Sequence, residues 1–388
     1  MSTQTRLLPP TPAAAPPRNG LGVLQVCGVS DGGAAEHVLQ LSAGLVERGW
    51  NVQLCCPEDG WLARAAAGVV DRVWPAAFVR PPHPVADTRS LRAISAAIRG
   101  MRPDVAHLHS SKAGVLGRIA ARRHGVTTTF TPHAWSFLGA SRGPERELWI
   151  RTERAFAGSA AGIVCVSEHE RQRGVDAGVL GPDDGVVIPN GVAVPEYDAG
   201  APRTAPVIGT LARLSRQKGI DVLLEAIAIV AAERPDVRLV IAGGGPLEGE
   251  LREQAARLGL GGVVDFMGWV DDARRLLPDF DIFVLPSRWE GMPIALLEAR
   301  AAGLAAVATD VGGAHEVIRD GRDGWVVPPE DPVALAAALL DLVNDPARRE
   351  EWGRAARAHT RAENSLDEMV RRTELLYLER LVVAERHD

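Results

Sequence analysis

Short runs rich in Val, Ile and Leu recur along this chain between longer amphipathic stretches, and that alternation restricts the fold more than any other feature. A run of four to eight apolar, β-branched residues suits a strand covered on both faces. Strands that alternate with helices imply βα units and parallel sheets. In the first half, strands are read at 21–28, 52–56, 104–108, 127–131, 162–166 and 185–188, with helices near 34–48, 88–100, 112–124, 144–158 and 168–177. In the second half, strands are read at 206–211, 237–242, 263–266, 281–285, 305–308 and 325–327. The helices there lie near 219–233, 246–258, 271–277, 293–302, 331–344 and 346–360. Between the two series, PNGVAVPEYDAGAPRTA (189–205) lacks periodicity and is rich in Pro, Gly and Ala, as a linker would be. The expected class is α/β, with two doubly wound, Rossmann-like parallel-sheet domains facing across a cleft. The expected division is a disordered tail at 1–19, a first domain at 20–190, a linker at 191–205 and a second domain at 206–365. An amphipathic helix at 366–388 is expected to fold back on the first domain. Doubly wound sheets bind ligands beyond the carboxyl ends of their strands, so the cleft is the expected site.

Composition narrows the class further. Apolar residues at 46% and charged residues at 24% of 388 exclude wholesale disorder and a fibrous repeat. No stretch approaches the roughly 18 apolar residues of a spanning helix. The first twenty residues hold five prolines with Arg6 and Arg18 but no apolar core, so they read as a tail rather than a signal peptide. Cys27, Cys55, Cys56 and Cys165 fall inside strands and suit neither a disulfide framework nor a zinc site, which points to a reducing cytoplasm. A net charge of −6 argues against nucleic acid as a partner. That charge is uneven: residues 1–195 balance at +4 and residues 196–388 at −10. The basic half allows, without requiring, peripheral attachment to an anionic membrane face. Of 43 basic residues only Lys112 and Lys218 are lysine, so each is a candidate for a place where a compact ammonium is needed.

Three glycine-rich turns stand where strands give way to helices. Gly28-Val29-Ser30-Asp31-Gly32-Gly33-Ala34 follows strand 21–28, Gly243-Gly244-Gly245-Pro246 follows 237–242, and Gly312-Gly313 follows 305–308. Such turns let a backbone approach a phosphate, and the helix start offers free N–H groups, although each is also compatible with an ordinary helix start. The G-x-G-x-x-G and Walker spacings are both absent. Arg213 and Lys218, just past strand 206–211, suit a diphosphate as a fork and a point charge. Glu290 lies in the turn after the apolar strand 281–285, and Glu298 lies within the helix that follows. That helix is apolar on nearly every side, so Glu298 would be costly to bury without a partner such as a ligand hydroxyl pair. The intervening turn offers N–H groups from Gly291 and Met292 but none from Pro293. His107, His109 and His133 sit at first-half strand ends that face the cleft, where an imidazole can donate to a sugar hydroxyl or a phosphate. His107 reads more readily as structural. No Ser-His-Asp arrangement, H-E-x-x-H or Asp-x-Asp pair is present, so neither a nucleophilic triad nor a metal is expected.

Taken in order, these residues resemble the retaining nucleotide-sugar glycosyltransferases of family 4, which have the GT-B fold. The resemblance spans about 20–385. Its most specific piece is an E-x7-E pair, Glu290 and Glu298 in PSRWEGMPIALLEA. It is supported by RLSRQKG with Arg213 and Lys218, PNGV at 189–192, the GGGP turn, the GGA turn at 32–34 and TPHAWSF around His133. The resemblance implies that Arg213 and Lys218, with Gly244 nearby, hold the donor diphosphate, and that Glu298 takes the ribose hydroxyls. Glu290 and the backbone of Gly291, Met292 and Pro293 would hold the sugar. His133 would contact the sugar or leaving group from the opposite domain, and Gly32 and Gly33 would let the first-half loop approach. His109 and Lys112 become candidates for the acceptor side. LHSSKAGVLGR with TPHAWSF looks most like members that build exopolysaccharide or cell-envelope glycans. The implied reaction moves a hexose from a UDP- or GDP-type donor to a glycan, lipid-linked or small-molecule hydroxyl, with retention and without metal or cofactor. The same residues leave three other readings: a Rossmann-type oxidoreductase, a GT-B UDP-sugar epimerase and a non-catalytic sugar-nucleotide binder. The missing dinucleotide fingerprint counts against the first. The presence of Glu290, Arg213 and Lys218 counts against the third.

Overall fold

Each apolar run forms a parallel strand in the computed structural model, which describes residues 20–79, 82–139, 143–196, 203 and 205–385. The tail expected at 1–19, part of the linker and residues 386–388 lie outside the described residues. The first sheet contains β1 (Gly22–Cys27), β2 (Asn51–Pro57), β3 (Arg72–Ala76), β4 (Val105–His109), β5 (Thr127–Thr131), β6 (Gly162–Cys165) and β7 (Val186–Val187). Its order is β3-β2-β1-β4-β5-β6-β7, with every neighbour parallel. The second sheet contains β8 (Val207–Leu211), β9 (Arg238–Ala242), β10 (Val264–Gly268), β11 (Ile282–Leu285), β12 (Ala305–Thr309) and β13 (Gly324–Val327), in the order β10-β9-β8-β11-β12-β13 and again all parallel. The order reverses at β1/β4 in one sheet and at β8/β11 in the other. The carboxyl ends of these four strands are therefore where a ligand is expected.

Several local readings differ from the sequence expectation, the short helices Trp61–Ala66, Ser136–Gly139 and Ala314–Val317 among them. Strand β3 was not foreseen: it is a half-exposed edge strand, where the N–H missing at Pro75 is tolerated. The helix expected from 246 runs Glu248–Arg257, with Pro246 in the turn before it. The stretch near 271–277 is a 3-10 helix, Ala273–Asp279, that starts just after Asp272.

In the second domain, Leu223 and Ile227 of helix Ile220–Glu233 and Leu335 and Leu339 of helix Pro332–Asn344 cover Ile208, Ile241 and Val284. In the first domain, one face of the sheet is covered by helices that follow it directly in sequence. The other face joins Val23, Val105 and Val164 to Leu41 and Leu45, and also to Met369, Val370 and Tyr377 of helix Leu366–Glu385. That distant helix lies so close to helix Gly33–Glu47 that a Cβ on Gly44 would stand 2.6 Å from Val370 Cγ2. Gly44→Ala is expected to cost about 1–3 kcal/mol through overpacking, measurable as a lower urea midpoint. The chain crosses between domains twice, side by side: Val192 N–H donates to Asn364 O (2.9 Å) and Leu366 N–H to Val192 O (3.1 Å). All four cysteines are buried free thiols, and burial pushes those of Cys27 and Cys56 up to about 12. No helix among the described residues is long and apolar enough to cross a membrane.

Candidate active site

The carboxyl ends of β1, β5, β8 and β11 converge on a cavity of about 370 Å³ between the two sheets, with residues of both domains in its wall. On the second-domain side, a 3-10 turn, Arg216–Lys218, follows β8 and ends at Gly219. Gly219 has φ +62, and a Cβ there would lie 2.0 Å from Pro286 O, so only glycine lets this turn seat against the end of β11. The turn carries Lys218 to the carboxylate of Glu290, where Nζ donates to Oε1 at 2.5 Å. Ser287 Oγ donates to the same oxygen (2.7 Å) and Gln217 Nε2 to the other (3.4 Å). The Gly312-Gly313 turn serves packing rather than phosphate: Gly313 N–H donates to Gly291 O (2.7 Å), and a Cβ on Gly312 would meet Glu290 O at 2.4 Å. It holds up the 290–291 segment from behind. Among the described residues, nothing accepts a hydrogen bond from the N–H of Gly291 or Met292, and both residues line the cavity. Gly244 also lines it, while Gly245 is pressed against Leu214 O.

Glu298, on helix Ile294–Ala301, also lines the cavity. It has no hydrogen-bond donor among the described residues. Burial pushes its carboxyl up to about 8, Glu36 and Asp272 add to that shift, and Arg274 opposes it. A desolvated carboxylate facing a cavity is a group whose partner comes from outside the protein.

On the first-domain side, Gly32 (φ +81) and Gly33 start helix Gly33–Glu47, and a Cβ on either would meet nothing within 4 Å. The loop therefore leaves room for a ligand. Its Asp31 faces Arg213 Nη1 across the cleft at 3.6 Å, and Glu36 faces Arg274 at 3.3 Å. His133 and Ala134 after β5 both adopt left-handed backbone, φ +54 and +76, a conformation that costs energy without glycine. Glu170 holds it in place: its carboxylate accepts from Ala134 N–H (2.5 Å) and Val166 N–H (2.8 Å). Burial raises Glu170 to about 7. Gly291 of the opposite domain lies against this loop, since a Cβ there would stand 3.0 Å from Ala134 N. Burial holds His133 well below the usual imidazole range, so at neutral pH it offers one N–H and one lone pair and no charge.

Of the residues singled out from sequence, Gly32, Gly33, His133, Arg213, Lys218, Gly244, Glu290, Gly291, Met292, Pro293 and Glu298 all line this one cavity. His109 lies one layer behind, fully buried, bonded to His133 and Gln25. Lys112 lies outside the lining and bonds Asp87 at 2.8 Å. His107 is buried between Tyr377 and Thr131. Sequence reading passed over Asp31, Glu36, Asn190, Trp269 and Arg274, which also line the cavity, and Glu170 behind it. Apart from Asn190, which lies in the PNGV segment, their sequence signal is polarity next to a glycine turn or a strand end. The arrangement joins cations and free amides on one wall, one carboxylate bonded to Lys218 and one without a hydrogen-bond donor among the described residues, and a neutral imidazole on the other wall. It suits a ligand with an anionic middle and hydroxyl groups at both ends.

Comparison with known proteins agrees with this geometry. The family model "Glycosyltransferase Family 4" matches residues 31–196, and "Glycosyl transferases group 1" matches 197–359. A phosphatidyl-myo-inositol mannosyltransferase of Mycolicibacterium smegmatis is 33% identical over 348 residues, covering 85% of each chain. The UDP-Gal:alpha-D-GlcNAc-diphosphoundecaprenol alpha-1,3-galactosyltransferase of Escherichia coli is 28% identical over 312 residues, covering 76% of this chain and 81% of that one. Among solved structures, Anabaena HepE in complex with UDP-glucose superposes with a TM-score of 0.78 at 20% identity, covering 92% of this chain and 99% of the other.

Proposed function

We propose a function from one established premise: this chain belongs to the family 4 glycosyltransferases and has their GT-B fold. It is a hexosyltransferase that uses a nucleotide-sugar donor. The finer reading is transfer of a hexose from a UDP-sugar, with GDP-sugars second, to a hydroxyl of a lipid-linked acceptor in cell-envelope glycan synthesis. Two relatives named for lipid acceptors and a UDP-Gal donor support that reading. The first-half balance of +4 suits an anionic amphiphile near a membrane face.

The observation that carries the proposal is the contrast between the two carboxylates eight residues apart. Glu290 is already paired with Lys218, whereas Glu298 is desolvated and unpartnered in the same cavity. In this reading Glu298 accepts both ribose hydroxyls, and Arg213 and Lys218 meet the diphosphate. The N–H groups of Gly291 and Met292 support the sugar end with Glu290. His133, whose Nε2–H is engaged by His109, contacts the sugar from the facing domain through its Nδ1 lone pair, which can accept from a sugar hydroxyl. As the sugar–phosphate bond lengthens, charge builds on the diphosphate, and fixed cations and amides aimed at it lower the barrier. Retention follows if the departing phosphate takes the acceptor proton on the face it leaves.

The Arg213 and Lys218 pair supplies the charge that a divalent ion supplies elsewhere, so transfer is expected to continue in excess EDTA. A loss of transfer that Mg²⁺ restores would contradict this. The test of the reading as a whole is a thermal-shift screen of UDP, GDP, ADP and their hexoses. At a hundred times Kd, a ligand stabilises the native state by about 2.7 kcal/mol. UDP-hexoses are expected to give the largest shift, and a screen in which no nucleotide raises the melting temperature would refute the proposal.

A further inference from the structure

Behind the first-domain wall of the cavity, three imidazoles from three separate elements meet. They are His37 on helix Gly33–Glu47, His109 at the end of β4 and His133 after β5. One ring nitrogen from each lies within 4.8 Å of those from the other two. Two of the rings have their tautomer fixed by a carboxamide. Asn190 Nδ2 donates to Met292 O (2.8 Å), so its Oδ1 must accept from His37 Nδ1–H at 2.9 Å. His37 Nε2 keeps a lone pair and has no hydrogen-bond partner among the described residues. In the same way Gln25 turns its Nε2 toward Tyr377 Oη, so its Oε1 accepts from His109 Nε2–H at 2.7 Å. The lone pair of His109 Nδ1 then faces His133 Nε2 at 3.0 Å.

Hydrogen bonding accounts for the His109–His133 contact. It does not account for His37, whose ring stands 4.6 Å from that of His133 at 68° with Nε2 unengaged. An imidazole that donates one N–H to an amide oxygen and leaves its other nitrogen bare is the arrangement that orients a metal-binding histidine. Three imidazoles, two of them oriented in this way, suit a borderline divalent ion such as Zn²⁺ rather than Mg²⁺. A tetrahedral Zn²⁺ with bonds of roughly 2.0–2.1 Å sets its ligands about 3.3 Å apart, so the rings would close by at most about 1.5 Å.

We propose that His37, His109 and His133 form a three-imidazole site for Zn²⁺, and that filling it arrests transfer by taking His133 away from the donor sugar. The Zn–N bonds form through His37 Nε2, His109 Nδ1 and His133 Nε2. The proton on His133 Nε2 moves to Nδ1, so no net proton is released. His133 lines the cavity, which leaves a fourth position open on that side for water. Zn²⁺ would thus act as an inhibitor of an enzyme whose chemistry needs no metal. The binding site stands on the three rings alone, and only the arrest rests on the transferase reading.

The test uses the full chain, stripped with EDTA and titrated with Zn²⁺ or Co²⁺. One equivalent is expected to stay bound through gel filtration. Co²⁺ is expected to show the visible bands of a four-coordinate ion, and X-ray absorption at the zinc edge to show imidazole nitrogens at about 2.0–2.1 Å. His37→Gln should abolish stoichiometric binding. Gln25→Leu, which keeps all three ligands, should weaken it about 10–100-fold. Melting curves in EDTA check that both variants fold, and the wild-type spectra decide the matter if either does not. Absence of stoichiometric metal in the wild type, or equal binding by a folded His37→Gln variant, would overturn the site. Zn²⁺ should inhibit wild-type transfer at the concentration that fills the site, and inhibit His37→Gln far less. Binding without inhibition would overturn the arrest. Binding in a chain that turns over no nucleotide-sugar would leave the site standing and refute the transferase reading instead.

Discussion

Lys218→Ala is expected to lower the turnover of hexose transfer by roughly 10²–10³-fold while the fold survives. The ammonium is bonded to Glu290 and stands at the switch point between β8 and β11, where the proposed function puts the leaving diphosphate. An arriving diphosphate competes with Glu290 for Lys218, and the bond to phosphate strengthens as the sugar departs. The loss should therefore fall on kcat more than on KM. Lys218→Arg is not expected to restore the rate, because a planar fork replaces a point charge. Ser287 and Gln217 still donate to Glu290 in the variant, so its carboxylate is not left bare, and the cost in stability should stay modest. Unchanged turnover in a folded Lys218→Ala protein would remove the leaving-group assignment.

The second large effect concerns Glu298. Burial pushes its carboxyl up to about 8 in the native protein, from an ordinary value of 4.5. Between those values the native state holds a proton that the unfolded chain has released, so this group lowers stability as pH rises from 4.5 to 8. Glu298→Gln cannot ionise. It is expected to be more stable than the parent at pH 9, by about 2 kcal/mol after allowing for residual solvation, and equal to it near pH 4. Binding should move the other way. Two ribose hydroxyls donating to a carboxylate favour the anion, so binding of a UDP-hexose by the parent should release a proton below pH 8. Affinity should fall by up to tenfold per pH unit on acidification. The Gln variant, with one acceptor oxygen and an N–H₂ facing the second hydroxyl, is expected to bind about 10–100-fold more weakly and without that pH dependence. Calorimetry in buffers of different ionisation enthalpy reads both effects. A Gln variant that binds as tightly as the parent would dismiss the ribose role.

How much of this could be read in advance depends on how local the signal is. Most strands were legible because a sheet covered on both faces demands apolar or β-branched residues, the threonines of β5 and the alanines of β12 included. The exception, β3, fails that rule because it lies at an edge, with Arg72 exposed and Pro75 inside it. Strand order was not legible, since crossovers leave no periodicity. Arg213, Lys218 and Glu290 could be found because each closely follows a strand end, and Glu298 because it is a carboxylate on an otherwise apolar helix. Their pairing could not: Lys218 and Glu290 had been assigned to different parts of the donor, yet they bond each other across 72 residues. Glu170 stabilises the left-handed backbone at Ala134 from 36 residues away, and Asn190 reaches His37 across 153. Contacts of that range are made by topology, and a linear pattern carries no trace of them.

The position of helix Leu366–Glu385 bears on how the molecule is made. It supplies Met369, Val370 and Tyr377 to one face of the first sheet, yet it is translated only after the entire second domain. At roughly 5–20 residues per second, the interval between β7 and this helix is on the order of ten to forty seconds. Throughout that time an apolar trough over Val23, Leu41 and Leu45 faces solvent on the nascent chain. Early folding on the ribosome must therefore stop at a partly open first lobe, and a chaperone has a defined window in which to shield it.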